Sequence, residues 1–167
     1  KLTNKIKIGN FILRFPIFLF FMVILFKKIN HRVKSMPKRI GSHTIFLENK
    51  PGIVGNAGVA GKKEGEGPLA AEFDKIFNDE FLGKDTFEKA ESELVKNAVT
   101  IALSKADEIP ESIDCCFAGD LLNQCIGSSF GLREFGIPFS GLYGACSTMA
   151  LSLALGATLV DSGALKT

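Results

Sequence analysis

The residues best placed to do chemistry in this chain are Cys146, Ser147 and Thr148, which close the segment Tyr143-Gly144-Ala145-Cys146-Ser147-Thr148. Phe139 to Leu142, just before, is short and apolar, the pattern of an inner strand. Gly144 and Ala145 put no bulk at the bend. After Cys146 the chain holds only small and apolar residues to Val160, with no charge before Asp161. Such a run predicts a helix over 147–161, and a helix apolar all round is one covered on every side. A tight turn would thus bring the Cys146 sulfur to the first turn of a buried helix. There it meets N–H groups that lack intrahelical partners, and the positive end of the dipole. That setting suits a nucleophile or a seat for an anion. The competing reading is an inert core cysteine, because unpaired Cys is among the most buried residue types.

Asp120 and Asn123 are the other polar residues to weigh, in Ala118-Gly119-Asp120-Leu121-Leu122-Asn123-Gln124. They follow the apolar run Ile113 to Ala118, which reads as a buried strand, and open α/β sheets hold ligands at strand carboxyl ends. Asp120 serves equally as the cap of a helix over 121–135. The remaining cysteines offer less. Cys115 and Cys116 are adjacent on a strand and so point to opposite faces. No Cys-x-x-Cys spacing is present, so reduced, buried thiols are expected rather than a metal site or a disulfide framework. Around Gly61-Lys62 a phosphate loop would need glycine at 56 and a hydroxyl at 63, where Asn56 and Lys63 stand. Gly65-Glu66-Gly67-Pro68-Leu69-Ala70 has dinucleotide spacing but follows no expected strand, and Glu64 and Glu66 would repel a pyrophosphate.

These residues need elements to hold them. Strands are expected at 44–47, 113–118 and 139–142, and helices at 69–80, 86–105, 121–135 and 147–161. Gly52 to Gly67 contains six glycines and reads as a loop. Pro68 suits a first helical turn, with Leu69, Phe73, Ile76 and Phe77 following at helical spacing. Asp85 and Glu88 read as a capping pair for the next helix, whose apolar stripe is Phe87, Ala90, Leu94, Ala98, Ile101 and Ala102. Gly136 and Pro138 stop the helix over 121–135. Strands alternating with helices predict an α/β fold with right-handed crossovers and a mostly parallel sheet, 113–118 and 139–142 being parallel neighbours.

Charge divides the chain. Residues 1–35 carry eight basic and no acidic residues, and 36–167 carry 12 basic against 18 acidic. The mildly acidic larger part argues against nucleic acid as a partner. In the basic part, Ile17 to Phe26 is ten uninterrupted apolar residues, short of the roughly 18–20 that span a bilayer. No small-residue cleavage site follows it, as a signal peptide would require. Its bias toward Lys, Ile, Asn, Phe and Leu is that of translated AT-rich DNA upstream of a gene. Residues 1–35 are therefore expected to be upstream sequence making few contacts, or else a weak membrane anchor, with Met36 opening a domain over 36–167.

Three ordered blocks carry a family resemblance. Asn56 to Leu69 (NAGVAGKKEGEGPL), Ala118 to Gln124 (AGDLLNQ) and Gly144 to Thr148 (GACST) resemble the stage V sporulation protein AD family, a thiolase-fold family of endospore-forming bacteria. The likeness runs over 36–167. It implies a thiolase-like layered fold of two similar halves, of which only the first is covered here, and incompletely. In thiolase and ketoacyl synthase relatives the cysteine matching Cys146 accepts an acyl group. This branch is instead associated with binding dipicolinic acid and aiding its uptake into the developing spore. The resemblance thus implies a binding protein, not an enzyme, with Cys146, Ser147, Thr148, Asp120 and Asn123 around the ligand, and neither cofactor nor metal. It also implies membrane proteins of the same spore operon as partners, a homodimer at full length, and a cytoplasmic location peripheral to the spore inner membrane. The alternative is a thiolase-like acyltransferase or condensing enzyme that takes a coenzyme A thioester on Cys146. Acyl transfer needs a base and an oxyanion donor near the thiol. His31 and His43 are the sole histidines, both far upstream of Cys146.

Overall fold

The computed structural model of the chain describes residues 6–8, 11–13, 20–27 and 36–167. In chain order the strands and helices are β1 (Ile6–Ile8), β2 (Phe11–Leu13), β3 (Phe20–Lys27), β4 (Lys38–Ile40), β5 (Thr44–Phe46), β6 (Gly52–Gly61), the single turn α1 (Lys62–Gly65), β7 (Lys75–Phe77), α2 (Phe87–Ala106), β8 (Cys116–Ala118), α3 (Ile126–Leu132), β9 (Phe139–Gly141) and α4 (Thr148–Ser162). The fold is mixed α/β. β8 and β9 are parallel neighbours, with Cys116 opposite Phe139 and Ala118 opposite Gly141, as expected. The sheets as a whole are not mostly parallel. β6 lies between β3, antiparallel to it, and β7, parallel to it, while β1–β2 and β4–β5 are antiparallel pairs.

The largest departure from expectation is β6, which occupies most of the glycine-rich stretch read as a loop. Gly55 there serves contact rather than flexibility. A Cβ on Gly55 would lie 2.6 Å from the Ala102 carbonyl oxygen and 2.9 Å from the Ala106 Cβ, so the last turn of α2 can approach β6 this closely only over a glycine. The expected helix over 69–80 is also absent. A 3₁₀ turn at Ala70–Glu72 leads into β7, which pairs with Val59, Ala60 and Gly61. Asp74 accepts the Gly58 N–H at 2.9 Å and pairs with Lys105 at 2.5 Å, and the Lys105 ammonium holds its carboxyl below the usual range. Those long-range bonds outweigh local helical spacing.

Residues 20–27 depart in another way. They form β3, in register with β6 from Phe20 opposite Ala60 to Lys27 opposite Gly52. Lys27 also pairs with Glu108, so few contacts is not what this stretch makes. The rest of 1–35, apart from β1 and β2, lies outside the described residues.

α2 spans the expected helix, but its cap is Thr86, whose Oγ1 accepts the Lys89 N–H, rather than the Asp85–Glu88 pair. It carries the core. Val95, Val99 and Leu103 pack with Ile113, Leu132 and Ile137, and Leu94 and Ala98 pack with Val59. Each large aliphatic side chain buried in this way contributes about 1.5–3 kcal/mol. The helix expected over 121–135 is broken: Gln124 and Cys125 take left-handed backbone angles, and regular helix runs only over α3.

α4 forms where expected and differs in burial. Met149 and Leu151 are 55% and 41% exposed, whereas Thr148, Ala157, Val160 and Asp161 are buried. With its leading turn it is long and apolar enough, by length and composition, to cross a membrane. In the protein its buried face packs against β8 and β3, and Asp161 accepts the Asn49 backbone N–H at 2.7 Å.

Candidate functional site

The carboxyl ends of β8 and β9 and the start of α4 converge. The Leu142 N–H donates to the Ala118 carbonyl at 2.8 Å, holding the two strand ends together. Gly119 makes this approach possible, since a Cβ there would lie 2.0 Å from the Leu142 oxygen and 3.1 Å from Thr148 Cγ2. The Cys125 thiol is also directed at the Leu142 carbonyl, 3.7 Å away.

From Leu142 the chain enters a 3₁₀ turn, Ala145–Ser147, that runs directly into α4. Ala145 sits at φ +47°, a left-handed angle that L side chains adopt only under constraint. The constraint is a small hydrogen-bonded ring. Gly144 donates its N–H to Thr148 Oγ1 at 3.2 Å, and its carbonyl accepts both the Ser147 N–H at 2.9 Å and the Ser147 hydroxyl at 2.7 Å. The Thr148 N–H donates to the Ala145 carbonyl. Cys146 is therefore held at the head of α4, as the sequence suggests, but exposed rather than buried, so it is not an inert core thiol.

The ring also changes how an anion could be held. The Ser147 and Thr148 amides are engaged within the turn; what the turn presents outward is the Cys146 side chain. Cys146, Thr148 and Gly119 share a groove that runs inward between β8 and α4, and Asp120, Asn123 and Ser147 lie off its lining. Asp120 braces the backbone. Its carboxylate accepts the Leu122 N–H at 2.9 Å and the Ser128 N–H at 2.7 Å, tying the loop after β8 to the first turn of α3. Asn123 is exposed on that loop. The structure brings Cys146 and Thr148 together with Gly119, and places Asp120 and Asn123 on the adjoining loop.

Two features had little signal in the sequence. Gly119 could have been singled out as the small residue that ends an apolar strand. Glu91 could not, because on α2 it reads as one charge among several. Burial, then the nearby Asp120 carboxylate, then Glu88, push its carboxyl up to about 7. Burial, with Cys115 adding to it, pushes the Cys116 thiol up to about 12, so that sulfur stays protonated. Among the described residues, no group of three or more His, Cys, Asp or Glu side chains is arranged to hold a metal ion.

Residues 41–167 match the family described as Stage V sporulation protein AD (SpoVAD). The chain belongs to this family. It is 39% identical over 130 residues, 77% of its length, to Stage V sporulation protein AD of Bacillus subtilis (strain 168). The chain spans 38% of that relative's length. The match takes in every residue of the site, from Gly119 and Asp120 to Cys146 and Thr148.

Proposed function

We propose that this chain is the cysteine-bearing part of a thiolase-like layered protein that binds dipicolinic acid and aids its uptake into the developing spore. The observation that supports this reading is the exposed Cys146 at the head of α4, beside the joined carboxyl ends of β8 and β9, in a chain of this family. Dipicolinate is a rigid aromatic dianion. One carboxylate would lie at the positive end of α4, and the ring would pack against the Cys146 sulfur and the apolar wall by Gly119 and Met149. Ser147 and Thr148 hold the turn in shape, and Asp120 and Asn123 shape the loop beside it. The reading needs neither metal nor cofactor. At full length the protein would act as a homodimer on the cytoplasmic side of the spore inner membrane, with membrane proteins of the same operon.

Calorimetric titration of the full-length protein with dipicolinate tests this. Cys146→Ala should lose on the order of 1 kcal/mol of binding, since few packed atoms go. Cys146→Leu should lose clearly more, because it crowds the helix start. Equal affinity in all three proteins would remove Cys146 from the site.

The exposure of Cys146 also favours a second reading, an acyltransferase in which a coenzyme A thioester reaches the thiol. Mass spectrometry after incubation with acyl-coenzyme A separates the two: an adduct lost in Cys146→Ala is the enzyme's signature.

A further inference from the structure

Glu91 lies on α2 where that helix meets the start of α3. Its side chain rests on Gly127: a Cβ there would lie 3.2 Å from Glu91 Cγ and 3.3 Å from both Cδ and Oε1. The carboxyl fits because α3 has no side chain at that position. The next residue, Ser128, donates its N–H to Asp120 at 2.7 Å. Two carboxyl groups thus converge on one turn, Glu91 from α2 and Asp120 from the loop after β8, close enough for the Asp120 charge to act on Glu91. The seam holds a further unsettled group. Ser128 Oγ is fully buried and, among the described residues, has no hydrogen-bond partner, a state that costs stability.

Among the described residues no ion pair reaches Glu91. Glu88 of the same helix adds another negative charge, while Lys84, Lys89 and Lys96 are engaged with Glu93, Asp85 and Glu134. α3, β6 and β3 pack on α2. Neither α3 nor β6 carries a titratable side chain, and Arg133, just past α3, is exposed. The charge on β3 is Lys27, which pairs with Glu108 past the far end of α2. On the loop after β8, the Cys125 thiol is directed away at the Leu142 carbonyl. Burial and a like charge both favour a carboxyl that keeps its proton.

The loop that Asp120 holds adjoins the candidate site. It leaves from Gly119, which lines the groove together with Cys146. Asp120 spans it, accepting the Leu122 N–H at one end and the Ser128 N–H at the other. Between them Gln124 and Cys125 sit at φ +58° and +55°. Such angles in residues other than glycine persist only while surrounding bonds enforce them.

We propose that Glu91 is a positioning residue for the candidate site, acting through Asp120 as a proton-operated latch on the loop over 120–125. With its proton in place, Glu91 leaves Asp120 as the one charge of the pair, and Asp120 keeps both of its N–H donors. When the proton passes to solvent, two negative charges share a part-buried turn with no cation between them. The carboxylates separate, Asp120 gives up its span, and the wall beside Gly119 and Cys146 loosens.

Hydrogen exchange of the full-length protein, read by mass spectrometry at pH 6 and pH 8 without dipicolinate, tests the latch independently of what the site binds. Rates are normalised to the intrinsic exchange rate at each pH. Peptides covering 119–126 should lose about three- to tenfold of their protection at pH 8, as expected for a carboxyl that titrates at about 7 when latched and at 4.5 when released. Those covering 94–103 of α2 should keep theirs. Glu91→Gln preserves the shape of the side chain and cannot ionise, so its 119–126 peptides should hold the pH 6 protection at both pH values. Equal protection of 119–126 at the two pH values in wild type overturns the proposal. So does a loss that persists in Glu91→Gln, or one that extends equally to 94–103, which would be unfolding of the whole domain.

Discussion

β6 and β8 are both strands tied to the same core helix, yet they end up in opposite circumstances. β6 is paired on both edges and covered by α2, and its Ala57, Val59 and Ala60 are at most 1% exposed. Among the described residues β8 is paired on one edge, and Cys116, Phe117 and Ala118 are all half-buried. By composition the order should be reversed, because glycine and alanine are poor strand formers and the run Ile113 to Ala118 is a good one. What decides is the neighbours. A strand pressed by a helix must be small, and α2 makes β6 central. The candidate site belongs to the less covered strand, where a backbone edge and a cysteine remain within reach.

The contrast breaks most directly at Gly55. Gly55→Val places side-chain atoms inside the Ala102 carbonyl and the Ala106 side chain. α2 would have to lift from β6, and a loss of about 3 kcal/mol is expected in urea unfolding, at the upper end of overpacking effects. A loss under about 0.5 kcal/mol, the range of surface changes, would mean that this stretch behaves as the loop its glycines suggest.

How far the sequence reveals the molecule follows the same division. α2, α4, β5, β8 and β9 were legible from their apolar runs and boundary residues, although only α2 is buried as its stripe implies, while β5 is exposed and β8 half-buried. β6 and β7 were not, because what makes them strands is contact with α2 and with each other, and no periodicity records it. The break before α3 is set by the Asp120 carboxylate drawing in Leu122 and Ser128, a bond across eight residues that a helical stripe hides. In the site, Cys146 was legible from the small residues around it. Its exposure was not, because an apolar helix with one uncovered face looks in sequence like a buried one. The Ser147 and Thr148 amides were expected to be free, and the left-handed Ala145 closes them into a ring instead.

Glu91 sharpens the comparison at the seam between α2 and α3. In the folded chain its carboxyl holds a proton up to about 7, against 4.5 for an ordinary glutamate. Between those pH values the folded state binds more protons than the unfolded one, so stability is greatest below about pH 4.5 on this account, falls as pH rises to about 7, and then levels. The side chain is only part-buried, so solvent screening reduces the effect to about 1–2 kcal/mol. Glu91→Gln removes the titration. Relative to wild type it should gain that amount at pH 8 and almost nothing near pH 3.5, well below the unfolded value of 4.5, read by denaturant unfolding at each pH. The same gap at both pH values would show that Glu91 does not titrate with folding.

The smallest effect is expected within α4, where the contrast recurs across one helix. Val160 is 2% exposed and belongs to the covered face, while Met149, near Cys146, is 55% exposed. Met149→Ser removes apolar surface that water already touches, so thermal unfolding of the 167-residue chain should show a change within about 0.5 kcal/mol. Val160→Ser in the same assay should cost about 2 kcal/mol or more, because it empties a packed site and buries a hydroxyl. A loss above about 1.5 kcal/mol for Met149→Ser would mean that another surface already covers this face, since truncating an open side chain removes no packing. The division between a finished side around β6 and an open side around β8 would then be wrong at the helix that carries Cys146.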